Sequence, residues 1–67
     1  MRTIMEIDGR DIPDYPGLSI TWRLLRPGYH TVVVLRGAVE IARMYTADPA
    51  KAQEAFAHPF VALEIPL

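Results

Sequence analysis

The stretch LSITWRLLRPGYHTVVVLRGAVEIARMY, residues 18–45, decides the fold. Leu18, Ile20, Trp22 and Leu24 alternate with Ser19, Thr21 and Arg23, the period of two that marks a half-buried strand. Ile, Thr and Trp also favour strands over helices. Pro27-Gly28 and Arg36-Gly37 are turn signals. The stretch therefore reads as three consecutive strands over residues 18–25, 29–35 and 38–45.

With residues 26–29 as a four-residue loop, Leu25 pairs with His30, Arg23 with Val32, Trp22 with Val33 and Ile20 with Leu35. One face then carries Ile20, Trp22, Leu24, Thr31, Val33 and Leu35, the expected core. The other carries Thr21, Arg23, Leu25, His30, Val32 and Val34. Three branched aliphatic residues on that second face are costly to leave in water, at about 1.5–3 kcal/mol each. A three-residue turn ending in Gly37, with φ > 0 at that glycine, keeps Val39 opposite Val33. It also keeps Glu40 out of the core, where an unpartnered carboxylate is expensive.

Upstream, residues 2–8 read as a strand. Asp8-Gly9 reads as a two-residue hairpin turn, with residues 10–12 returning. That hairpin sets Glu6 opposite Asp11, a mildly unfavourable pair of like charges. Pro13 and Pro16 mark a loop, because neither can donate to a ladder. Downstream, Asp48-Pro49 opens a helix over residues 49–57, with Asp48 as N-cap and Pro49 at the first position. Residues 60–67 read as a last strand, with Val61, Leu63 and Ile65 on one side and Pro66 at its end. The fold class is α+β, mostly β. It is a small antiparallel sheet in β-β-β-β-β-α-β order with one short helix near the C-terminus, in a single domain over residues 1–67.

The chain has 67 residues and no cysteine. A domain this short buries only about 60% of its unfolded surface. Disulfides are excluded as a support, and two histidines are too few for a structural zinc site. Association with another chain is the support that remains. The hydrophobic content of 51%, slightly above the usual level, agrees with that. The formal charge is −1, but it is unevenly spread. Residues 20–47 carry Arg23, Arg26, Arg36 and Arg43 against one acid, Glu40, while both flanks are acid-rich. Six of the seven basic residues are Arg and eight residues are Ala, which suggests a GC-rich coding sequence, bacterial or phage. The opening Met1-Arg2-Thr3-Ile4 lacks the apolar run of a secretory signal. No segment reaches the ~18 apolar residues of a membrane span. A cytoplasmic location with no membrane association is expected.

No motif for catalysis, metal or nucleotide binding is present. His30 and His58 are the residues that titrate near neutrality, but neither has a carboxylate four residues on. His58 reads as a helix-end residue and His30 as a strand position at an interface. Asp8, Asp11 and Asp14 lie in a turn-rich context where Asp is common. Ser19 is the only serine, and no Gly-rich phosphate loop or nucleophile elbow is found. No catalytic residue, metal or cofactor is assigned.

The leading expectation is a small non-catalytic protein-binding module that self-associates, first as a dimer, and acts as an accessory or inhibitor of a larger protein. Leu25, Arg26, Tyr29, His30, Val32 and Val34 are its expected interface residues. Tyr and Arg are favoured anchors in such contacts. An alternative is a nucleic-acid or other anionic-ligand binder using Arg23, Arg26, Arg36 and Arg43. The slightly acidic balance and a core-facing Trp22 weigh against it. A third class, an enzyme with its site between subunits, implies pH-dependent activity through His30 or His58, with no substrate to name.

Overall fold

The computed structural model describes residues 5–63 and Ile65. Four strands, β1 (Met5–Asp11), β2 (Leu18–Arg26), β3 (Tyr29–Arg36) and β4 (Val39–Thr46), form one antiparallel sheet in the order β1-β2-β3-β4. Two helices follow, α1 (Pro49–Ala57) and α2 (Pro59–Ala62). The mostly-β α+β class is as the sequence implied. The strand count and the register are not.

Asp8-Gly9 is not a turn. β1 runs straight through it, with Asp8 opposite Trp22 and Gly9 opposite Thr21. Asp8 Oδ1 accepts from the Gly9 N–H at 2.8 Å, a local contact of the kind Asp makes in turns, here formed within a strand. Pairing with β2 gives one seven-residue strand a partner along its length and avoids setting Glu6 against Asp11. A bulge at Ile7 takes up one residue. Residues 2–4 of the expected strand lie outside the described residues.

The turn at Pro27-Gly28 is tighter than the expected four-residue loop. Arg26 pairs with Tyr29, and Gly28 has φ +75°. Pro followed by a positive-φ Gly suits a type II turn. Such turns fit the strand twist poorly, and a bulge at Leu25 adjoins it, adding local twist. That bulge moves the register by one. Leu24 faces His30, Trp22 faces Val32 and Ile20 faces Val34. His30, Val32 and Val34 thus join Ile20, Trp22 and Leu24 on one face, while Thr31 and Val33 join Thr21 and Arg23 on the other. The expected division into faces is corrected accordingly.

Gly37 has φ +60°, as expected. Val39 nevertheless pairs with Arg36, not Val33, and is 65% exposed. Glu40 stays out of the core because it pairs with Leu35, on the face away from Val32 and Val34; a bulge at Ile41 then shifts the phase, so that Val33 faces Arg43.

α1 forms where the capping signal placed it. Asp48 accepts from the Ala50 N–H at 2.9 Å, and its own N–H donates to Thr46 Oγ1 at 3.0 Å. The helix lays Ala52 and Ala55 on the sheet, and their lack of bulk lets its backbone approach closely. The core is Ile12, Leu18, Ile20, Val32, Val34, Ala52 and Ala55. Trp22, Met44 and Phe56 pack around it. Arg10 Nη2 donates to the Phe56 carbonyl at 2.9 Å, placing a cation at the end of α1, where the helix dipole favours it.

The expected strand over residues 60–67 is also corrected. Phe60, Val61 and Ala62 are helical, with Pro59 at the first position of α2 and the Leu63 N–H donating to the Pro59 carbonyl at 2.8 Å. Pro at that position is pre-set for a helix. Glu64, Pro66 and Leu67 lie outside the described residues.

Candidate functional site

α1 packs on one face of the sheet. No described element covers the other. Register puts three cross-strand rows on this open face: Ser19, Leu35 and Glu40; Thr21, Val33 and Arg43; Arg23, Thr31 and Tyr45. Thr21, Thr31 and Val33 form a buried floor, and the Thr31 hydroxyl donates to the Met44 carbonyl at 2.9 Å. Around this floor Arg23, Leu25, Glu40, Arg43 and Tyr45 line a depression of about 250 Å³.

Aromatic and cationic groups rim one side. The Tyr29 and Tyr45 rings stack with centroids 5.7 Å apart and planes 11° from parallel. The Arg26 guanidinium lies 4.8 Å from the Tyr29 centroid and that of Arg43 5.6 Å from the Tyr45 centroid. Both distances suit cation–π attraction. Arg43 also donates to Tyr45 Oη and to the Glu40 carboxylate, with which it forms an ion pair. The Glu40 bond first, then the Tyr45 bond, hold its guanidinium above its ordinary pKa. Side-chain contacts thus link Arg26, Tyr29, Tyr45 and Arg43 in one row.

The expected interface residues divide. Leu25, Arg26 and Tyr29 lie on the open side. Val32 and Val34 are fully buried under α1, so neither can reach a partner in this fold. His30 is buried beside them, and its Nδ1 accepts from Trp22 Nε1 at 3.1 Å. Of the expected arginine surface, Arg23, Arg26 and Arg43 come together. Arg36 stands apart, in a cleft with Asp14, Tyr15, Pro16 and Leu18. Tyr45 was missing from the expected set, although its spacing of two from Arg43 places both on one strand face.

A second cleft, of about 310 Å³, lies between the loop after β1 and the two helices. Tyr15 and Phe60 meet there with ring centroids 4.5 Å apart, beside Ile12, His58 and Val61. Val61 is 89% exposed. Reading residues 60–67 as a strand hid this apolar corner. Its cation, Arg10, is bound to the end of α1 and lies 5.2 Å from the Phe56 centroid, a structural role.

Among the described residues, no three His, Asp or Glu side chains are placed to hold a metal ion, and no helix is long and apolar enough to cross a membrane. No family model matches this chain, and no curated protein or solved structure matches it.

Proposed function

We propose that this chain is a small non-catalytic protein-binding module that self-associates and docks a protein partner on its open sheet face. The observation that carries this is the stacked Tyr29–Tyr45 pair flanked by Arg26 and Arg43 on a face that no described element covers. Tyr and Arg are the residues that most often dominate protein contacts. Rings already held in place lose little side-chain entropy on binding. The floor of Thr and Val with half-buried Leu25 and Leu35 supplies apolar area between the charges.

A thin core supports self-association. Among the described residues, its largest fully buried side chains are Ile20, Val32 and Val34. Folds of this size commonly draw stability from a second chain. Tyr29 would serve a nucleic-acid binder less well, because the Arg26 guanidinium and the Tyr45 ring already lie 4.8 Å and 5.7 Å from its centroid. Base stacking needs a free ring face. The ionisable groups of the depression are arginines, a tyrosine and a glutamate tied to Arg43, which supports a binding role over acid–base chemistry.

The test is affinity capture from cells that carry the gene, with the wild-type chain and a Tyr29→Ser/Tyr45→Ser variant matched for helix and strand content. The proposal expects a defined protein retained by the wild type and lost by the variant. Nuclease-sensitive retention of nucleic acid, or retention indifferent to the substitutions, would contradict it.

A further inference from the structure

The sheet ends at β4, and nothing described pairs with its outer edge. Edge strands carry a row of unsatisfied backbone groups, which proteins blunt with bulges, prolines or inward charges. β1, the other edge, is blunted. It has a bulge at Ile7, a glycine at position 9, and Pro13 just beyond its end. β4 has its bulge near its start, at Ile41, which leaves residues 42–46 regular and free of Gly, Pro and Lys.

We propose that this edge pairs with the same edge of a second copy, antiparallel about a two-fold axis through Met44. This names the geometry of the self-association proposed above and rests on that reading. A two-fold axis perpendicular to the sheet keeps both helices on one side. Facing residues must then share a sheet face, which limits the register to self-pairing of one residue. Self-pairing of Ala42 draws the bulged Ile41 into the ladder. Self-pairing of Arg43 sets like charges opposite each other. Self-pairing of Tyr45 leaves only Met44, Tyr45 and Thr46 within the strand on each side.

Self-pairing of Met44 uses all of residues 42–46. It sets Ala42 against the partner's Thr46, Met44 against the partner's Met44, and Arg43 against the partner's Tyr45. The last pair repeats across the junction the cation–ring attraction that Arg43 and Tyr45 make within one chain. The pairing is isologous, so it closes at two copies, whereas β1 against β4 would propagate. It also joins the two rows of Arg26, Tyr29, Tyr45 and Arg43 into one continuous surface on the open side.

The chain has no cysteine, so single cysteines report the register directly. Facing residues in an antiparallel ladder have Cα atoms about 4.5–5.5 Å apart, within disulfide reach. Two copies of Thr46 would be about 13 Å apart in this register, beyond it. Light-scattering mass of the wild type comes first, then mild oxidation of Met44→Cys and Thr46→Cys variants. A two-chain mass is expected, with Met44→Cys cross-linking at least about tenfold faster than Thr46→Cys. Tyr45→Arg, on the open face and away from the core, sets cations opposite each other and should shift the wild-type mass towards one chain. A two-chain mass with equal cross-linking, or one indifferent to Tyr45→Arg, overturns this register and leaves self-association standing. A one-chain mass overturns both.

Discussion

Trp22 Nε1 donates to His30 Nδ1 at 3.1 Å across the β2–β3 hairpin, beneath α1. The two rings lie 5.8 Å apart, and Trp22 also meets Phe56 at 6.1 Å. This bond satisfies two polar atoms at the border of the core and joins β2 to β3, while the Trp22–Phe56 contact ties the hairpin to α1. His30→Leu removes the acceptor and leaves the indole N–H wanting, which costs about 1–3 kcal/mol. His30→Gln keeps an acceptor and should lose less. Urea denaturation of the two variants checks this. Equal stability of His30→Leu and the wild type would contradict the structural role.

Val32→Asp should abolish cooperative folding. Val32 is fully buried between Ile20, Val34 and α1, and an unpaired carboxylate there has no compensation. Thermal circular dichroism should show no cooperative transition. A folded variant with a changed oligomeric mass would instead place Val32 on a surface.

Gly28 and Gly9 should respond oppositely to alanine. Gly28 has φ +75°, where a Cβ is strained, so Gly28→Ala should destabilise by about 1–2 kcal/mol. Gly9 has no such φ, and a Cβ there would lie 3.8 Å from its nearest neighbours, an ordinary contact. Gly9→Ala should be neutral or mildly stabilising. A loss at Gly9 equal to that at Gly28 would restore the Asp8-Gly9 turn and remove the continuous β1.

Asp48→Ala removes the side-chain acceptor of the Ala50 N–H and should lower stability by about 1 kcal/mol. Asp48→Asn or Asp48→Ser should recover most of it. Chemical denaturation of the three variants decides between a cap and a bystander.

In β3, and in β2 as far as Leu24, period two revealed which residues share a face, and the helix start was plain from Asp48-Pro49; in β4 the bulge at Ile41 breaks the period and puts Val39 and Tyr45 on opposite faces. What alternation does not reveal is which face of one strand matches which face of the next. That depends on loop length and on bulges, and Leu25 and Ile41 each insert one residue that no local pattern marks. Leu24-Leu25 and Val32-Val33-Val34 are apolar in both phases, so either register looked acceptable. The one-residue slip sent His30, Val32 and Val34 inward and brought Arg23, Thr31, Arg43 and Tyr45 together. Asp8-Gly9 misled for a related reason. A glycine that suits a turn is tolerated in a strand only at a cost, and the choice was made by β2 offering partners along the whole of β1. Phe60 and Val61 follow Pro59, which starts α2, so the apolar run was helical where a strand was expected.

Light-scattering mass on a sizing column, with the 260/280 nm ratio followed across the peak, separates a chain that associates with its own copy from one that carries nucleic acid. A mass of two chains with a pure protein spectrum is the predicted result. A single-chain mass with raised 260 nm absorbance would contradict it and assign the Arg23, Arg26 and Arg43 face to a nucleic acid or nucleotide.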